Sequence, residues 1–402
     1  MITQKQIKKI ETAGCVAVIL AESIGAVAVV RALGMKNIPC IVIGNEFHHK
    51  SRYTTVSLKA ETKEEVVKLL VLIPGLVNLK PVLFTDADEY LDVILSNWSN
   101  LKNNYYIPSS PNNYLLIDKD KLEKAKNIRD ISTLPVSFEK INDIEEHHYP
   151  VIIKPLWHDR RFSELERRPE KAYICNDNIK VKEVDRFLTN LGIPYVAQQM
   201  IEGPANTIYA ALLYRSTKGK VEVGYTGKKL RNFPLDYGVG SAFIAENNSE
   251  IINRSIALME LTDYHGIADF EYKFCEKTSE YYLIEVNGRF SLQTSLIQQT
   301  NPHFIYTIFC DMTNRPKRES VSKKSMSNII WLFLLMDIRA IRGEKGKSIF
   351  MTYLSIFFSY RIQGALWSFS DPLPAIYFLK YIMRKVIMKP KEKKPQHEKK
   401  LV

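Results

Sequence analysis

The chain has 402 residues, 46% of them hydrophobic and 25% charged, enough for two or three cored domains. Its net charge of +12 is unevenly placed: residues 315–402 hold 19 basic and 6 acidic side chains, residues 1–314 hold 37 and 38. An excess confined to one end argues against a nucleic-acid-binding face. Five scattered cysteines without a CxxC pair argue against a disulfide framework or zinc site and fit a reducing cytosol.

In chain order, the first twenty residues do not read as a signal peptide, because their apolar run continues into a strand-like segment. VAVIL (16–20) predicts a strand, the following residues through Asn37 a helix, and IPCIVIG (38–44) a second buried strand. PVLFT (81–85) predicts a third strand and DEYLDVILSNW (88–98) a helix, so the N-terminal region reads as a small parallel α/β unit. Only Gly25 lies in the first strand-to-helix turn, which excludes a GxGxxG dinucleotide site there. The adjacent histidines 48–49 and 147–148 fall in apparent loops and are expected to be solvated.

IPSSPNNY (107–114) marks a linker, and mixed helices and β-rich runs over about 114–314 predict an α+β domain. Within it, YPVIIKP (149–155) is a buried strand ending in Lys154, and GYTGKKLRNFP (224–234) clusters Lys228, Lys229 and Arg231. Such a cluster can stabilise charge developing in phosphoryl transfer. IADFEYKF (267–274) and YYLIEVN (281–287) predict a hairpin. A turn centred near Thr278 sets Glu271 opposite Glu285 and Asp269 opposite Asn287 on one face. Like charges so placed are destabilising and call for a cation between them. Two carboxylates and an amide suit Mg²⁺ or Mn²⁺.

F-E-x-K followed by I-E-x-N-x-R resembles the metal-binding hairpin of the ATP-grasp superfamily. The resemblance implies that Glu271, Glu285 and Asn287 hold one or two Mg²⁺ ions on the ATP phosphates, with Arg289 facing the substrate carboxylate or acyl-phosphate. It likens Lys119 and Lys154 to the two phosphate-binding lysines. It likens VAQQMIEGPAN (196–206) to the adenine hinge, where Gln199 and Ile201 give backbone contacts and Glu202 or Asn206 reaches the ribose. The stretch 154–175 contains no glycine and departs from the usual glycine-rich phosphate loop. It resembles instead a D-aspartate ligase-like subgroup of carboxylate–amine ligases with a long polar insertion and a Lys-Ala pair, here Lys171-Ala172. VRALG, HKSRYT, TGKKLR and DPLP also look like that subgroup.

The implied architecture is α/β and α+β: a Rossmann-like pre-ATP-grasp domain (1–113), an ATP-grasp domain (114–320, lid about 120–200) and a helical amphipathic tail (321–402). Apolar stretches at 326–336, 348–360 and 374–383 are each too short to span a bilayer. Interleaved with Lys and Arg and rich in aromatics, they suit contact with the cytoplasmic face of a membrane. Packing on the body, or on a second subunit in a homodimer, is the alternative. The expected activity is an ADP-forming, ATP- and Mg²⁺-dependent ligase joining a small carboxylate to an amine, in cell-surface polysaccharide or amino-acid metabolism. A small-molecule kinase and a non-catalytic ATP-binding protein at a membrane surface are the rival readings.

Overall fold

The computed structural model describes residues 2–118, 121–122, 126–156, 160–163, 172–235, 238–316 and 328–387. Strands β1 (Ala17–Ala21), β2 (Cys40–Gly44), β3 (Thr54–Leu58) and β4 (Val82–Thr85) form a parallel sheet in the order β3-β2-β1-β4. β1 is buried at all five positions, as a strand covered on both faces requires. The sequence reading omits β3: TTVSL alternates half-exposed and buried positions and lacks the continuous apolar run that marks its neighbours. His48 is a second correction. It is fully buried, with Nε2 2.7 Å from the Ser23 carbonyl and Nδ1 accepting from the Asn45 amide.

At the end of β4, buried Asp86 collects four donors from the first strand-to-helix turn. They are the amides of Glu22, Ser23 and Ala26 and the Ser23 hydroxyl, at 2.7–3.1 Å. This carboxylate joins the ends of β1 and β4 to the start of helix Gly25–Gly34.

Next come β5 (Ser137–Phe138), β6 (Val151–Pro155), β7 (Tyr173–Cys175) and β8 (Tyr195–Gln199), an antiparallel sheet ordered β5-β8-β6-β7. Helix Asn178–Asn190 buries Val181, Val184 and Leu188 in its core. The largest sheet then takes β9 (Ile208–Arg215), β10 (Val221–Phe233), β11 (Val239–Ala245), β12 (Gly266–Cys275) and β13 (Glu280–Asn287). It is completed by β14 (Ile329–Leu332) and β15 (Arg361–Gly364), in the order β13-β12-β9-β10-β11-β14-β15.

The last two strands correct the expected helical tail. IIWL is buried at every position and pairs with β11, and the Trp331 indole donates to Ser295 at 2.8 Å. Its β-branched, aromatic composition favours a strand, and the sheet therefore runs past the boundary set at residue 320. The C-terminal segment is also pinned by a buried ion pair. Arg31 of VRALG donates to Asp371 of DPLP at 2.9 Å, and Asp371 also accepts from the Ser51 hydroxyl and the Arg52 amide of HKSRYT. Three motifs noted separately in the sequence thus meet at one carboxylate.

Burial outweighs the four donors at Asp86 and raises its pKa from 3.8 to about 6. The folded state holds this proton to higher pH than the unfolded chain. The group's contribution to stability is present below about pH 4 and lost as pH rises through about 6, a change of about 3 kcal/mol. Urea unfolding of the wild type and Asp86→Asn across that range should show this component of the slope only in the wild type.

Candidate active site

β12 and β13 pair Asp269 with Asn287 and Glu271 with Glu285, the register expected from the turn position. The register then slips: Tyr272 pairs with Leu283, and Ile284 is the extra residue of a bulge beside Glu285. Its carbonyl lies 3.4 Å from the Lys154 Nζ atom, which reaches across from β6 of the smaller sheet. The bulge therefore turns a backbone acceptor towards the lysine next to the paired carboxylates.

Lys229 of β10 supplies a compensating charge to Glu271, with Nζ 2.9 Å from its Oε2 and side-chain exposures of 9% and 20%. Lys228 turns the other way, its ammonium 5.7 Å from the Tyr209 ring centroid, as adjacent strand residues must. Arg231 is withdrawn as well. It forms a bidentate pair with fully buried Asp337 at 2.7 Å, and Asp337 also accepts from Ser241 and Tyr353. Of the three basic residues proposed as one catalytic cluster, only Lys229 meets the hairpin carboxylates. Strand alternation separates Lys228, and a buried counter-ion holds Arg231.

Arg289 follows the hairpin. Its guanidinium grips Asp88 bidentately at 2.9 and 2.7 Å and donates to Asn287 Oδ1 at 3.1 Å. Burial opposes its charge, but Asp88, Glu285 and Asp269 together raise its pKa further. Asp88 stands in the first turn of helix Asp88–Ser96, and the Phe290 amide donates to the Thr85 carbonyl, so the N-terminal unit forms one wall of the site. Gly25 allows this approach, since a Cβ there would strike the Ser291 carbonyl. Asp269 is buried, with the Tyr225 hydroxyl 3.4 Å from its Oδ1 and, among the described residues, no ion-pair partner. Burial and the nearby Glu271 push it up to about 7, against the pull of Arg289 and Lys229.

The hinge residues are tied to the same strand pair. Lys273, the lysine of F-E-x-K, donates to the Gly203 carbonyl at 2.7 Å, and Lys277 lies 3.7 Å from exposed Glu202. Gln199 closes β8, with its amide on the Val136 carbonyl; Ile201 is half-buried and Asn206 exposed. Lys119 and Lys171 lie outside the described residues. The sequence reading missed Asp88, whose only signal is its place among the first-turn acids, and gave Lys273 no role although the motif contains it.

The donor set of two carboxylates and an amide oxygen fits a hard divalent cation. Among the described residues no group of three or more His, Cys, Asp and Glu side chains is poised to hold a metal alone. Water or phosphate oxygens would have to complete the shell.

No protein-family model and no curated protein matches the chain. Solved structures do. A biotin carboxylase–βγ-ATP complex from Campylobacter jejuni is similar over 78% of this chain and 74% of its own, at TM-score 0.60 and 13% identity. N5-carboxyaminoimidazole synthetase from Staphylococcus aureus is similar over 76% and 80%, at TM-score 0.56 and 12% identity. L-amino acid ligase from Bacillus licheniformis is similar over 74% of each chain, at TM-score 0.54 and 16% identity.

The chain shares the fold of these three enzymes. Within this fold Lys229 contacts one of the paired carboxylates, Arg289 contacts Asn287 at the strand end, and Lys154 reaches the bulge beside Glu285. Removing Lys229 leaves Glu271 opposite Glu285 without its contact cation. Lys229→Met should lower unfolding stability by about 2 kcal/mol, and Lys228→Met, which loses an aromatic contact, by about 0.5 kcal/mol. Urea unfolding of the two variants side by side measures the difference.

Proposed function

We propose that the protein is an ATP- and Mg²⁺-dependent carboxylate–amine ligase, with Mn²⁺ able to substitute, that forms an amide and releases ADP and phosphate. Cell-surface polysaccharide or amino-acid metabolism is the setting the subgroup resemblance favours. The observation that carries the reading is the opposed Glu271–Glu285 pair, flanked on one face by Asn287, Lys229 and Arg289. The fold's presence in an L-amino acid ligase supports it. All five cysteines are buried free thiols, in keeping with a cytoplasmic location.

Glu271, Glu285 and Asn287 would hold one or two Mg²⁺ ions, which supply charge screening for the triphosphate. Lys154 would exchange the Ile284 carbonyl for a phosphate oxygen, joined by Lys119 and Lys171. Gln199 and Ile201 would meet adenine through their backbone, with Glu202 or Asn206 at the ribose. Arg289 would orient the substrate carboxylate. An oxygen of that carboxylate attacks the γ-phosphorus, the bond to ADP breaks, and an acyl-phosphate results. The amine nitrogen then attacks the acyl carbon, phosphate departs, and the amine's surplus proton passes to solvent. Lys229 would stabilise the charge that develops, a role of positioning and electrostatics with no covalent bond to the protein. In domain terms we assign 1–113 to the pre-ATP-grasp unit and about 120–200 to the lid. The ATP-grasp unit extends beyond 320 to take in β14 and β15.

The test is ADP release by the purified chain with ATP, Mg²⁺ and pools of small carboxylates and amines. The ligase requires both pools, loses activity in EDTA and regains it with Mg²⁺ or Mn²⁺. Glu285→Ala should cut kcat by about 10²–10³-fold with an unchanged circular dichroism spectrum. Wild-type turnover by that variant would sink the reading, and ADP release with one non-carboxylate acceptor would mark a kinase instead.

A further inference from the structure

Helix Ile349–Ser359 is apolar on both faces, and its phenylalanines point away from the protein. Ile356 is buried and the Tyr353 hydroxyl donates to Asp337 at 2.9 Å, which fixes the inward face. Phe350, Met351, Leu354, Phe357 and Phe358 recur at i, i+1, i+4, i+7 and i+8, a single stripe, and are 71, 60, 39, 69 and 78% exposed.

Helix Leu373–Ile387 repeats the pattern. Its inward side sets Phe378 against Phe47 and Phe333, at ring-centroid distances of 5.1 and 5.7 Å. Its outward stripe of Leu373, Ile376, Leu379 and Met383 is exposed and bracketed by Lys380 and Arg384. Between the helices, Trp367 and Phe369 are 50 and 91% exposed. Monomers rarely leave so many large apolar side chains exposed over one stretch of chain without a binding role.

Charge selects the occupant. From Lys345 to Ile387 the single acidic residue is Asp371, already buried against Arg31, while six residues are Lys or Arg. Residues 388–402, which follow directly in sequence, add six lysines against two glutamates. Arg384 and Lys347 are partly offset by Glu46 and Glu344, but in a two-fold dimer each patch would still meet a copy of its own net positive charge. An anionic bilayer supplies both apolar depth for the Phe, Trp and Leu side chains and negative headgroups for the surrounding cations. Among the described residues no helix is long and apolar enough to cross a membrane, so the contact is peripheral.

We propose that the outward stripes of helices Ile349–Ser359 and Leu373–Ile387 dock the protein on an anionic lipid surface, independently of which reaction the site catalyses. Flotation of the full chain with phosphatidylcholine vesicles, with and without phosphatidylglycerol, tests this. Binding is expected to require phosphatidylglycerol and to weaken with added salt. The Phe357→Glu/Phe358→Glu double variant should lower partitioning by at least about tenfold, and Leu379→Glu should lower it too. Both leave the melting temperature near wild type, because these side chains are exposed. Absence of flotation, or equal flotation of the double variant, overturns the proposal. So does a dimer in light scattering that the double variant dissociates, which would assign the face to a second copy.

Discussion

Glu271 and Glu285 stand directly opposite one another on β12 and β13, where two negative charges repel, and much of the surrounding structure serves to hold them there. Lys229 contacts one of them from β10 on the same face of the sheet, and Arg289 sits at the strand end with its field on the other. Asp269 lies one step along β12, and burial together with Glu271 keeps its pKa near neutrality rather than adding a third full charge. Replacing Glu271 would relieve the repulsion but strand the nearly buried Lys229. The opposition of the two carboxylates is what the proposed cation and phosphates would relieve.

Two buried arginine–aspartate pairs hold the walls of the site. Arg231–Asp337 locks β10 to the segment after β14, and Arg31–Asp371 locks the N-terminal unit to the segment after β15. Such pairs add little net stability once desolvation is counted, but they are costly to break singly and admit few alternative geometries. Both aspartates accept from additional donors, Ser241 and Tyr353 in one case, Ser51 and the Arg52 amide in the other. These bonds satisfy lone pairs that would otherwise be stranded in the core.

The hairpin register was legible in the sequence because a short polar turn between two alternating strands fixes which residues face each other. The bulge at Ile284 was not, since nothing in YYLIEVN marks one residue as extra. Lys228 and Lys229 are chemically identical in sequence, and only the strand's phase relative to β12 assigns the second to Glu271. Asp88 was hidden for another reason: it lies 201 residues from Arg289, and no local pattern foretells a pairing at that separation. IIWL admits a helical reading because a short apolar run does not declare its period, and pairing with β11 decides for the strand.

Asp337 carries one further consequence for how the parts fit. It takes Arg231, two residues along β10 from Lys229, on both oxygens, and its Oδ2 also accepts from the hydroxyl of Tyr353 on the outward-apolar helix. Leu230, between the two basic residues, packs in the same small core as Ile356 of that helix. The strand that presents Lys229 to the paired carboxylates and the helix that presents phenylalanines to its surroundings therefore share both a buried carboxylate and a hydrophobic cluster. Any surface that seats the helix stripe fixes the orientation of β10, and with it the orientation of the site, relative to that surface.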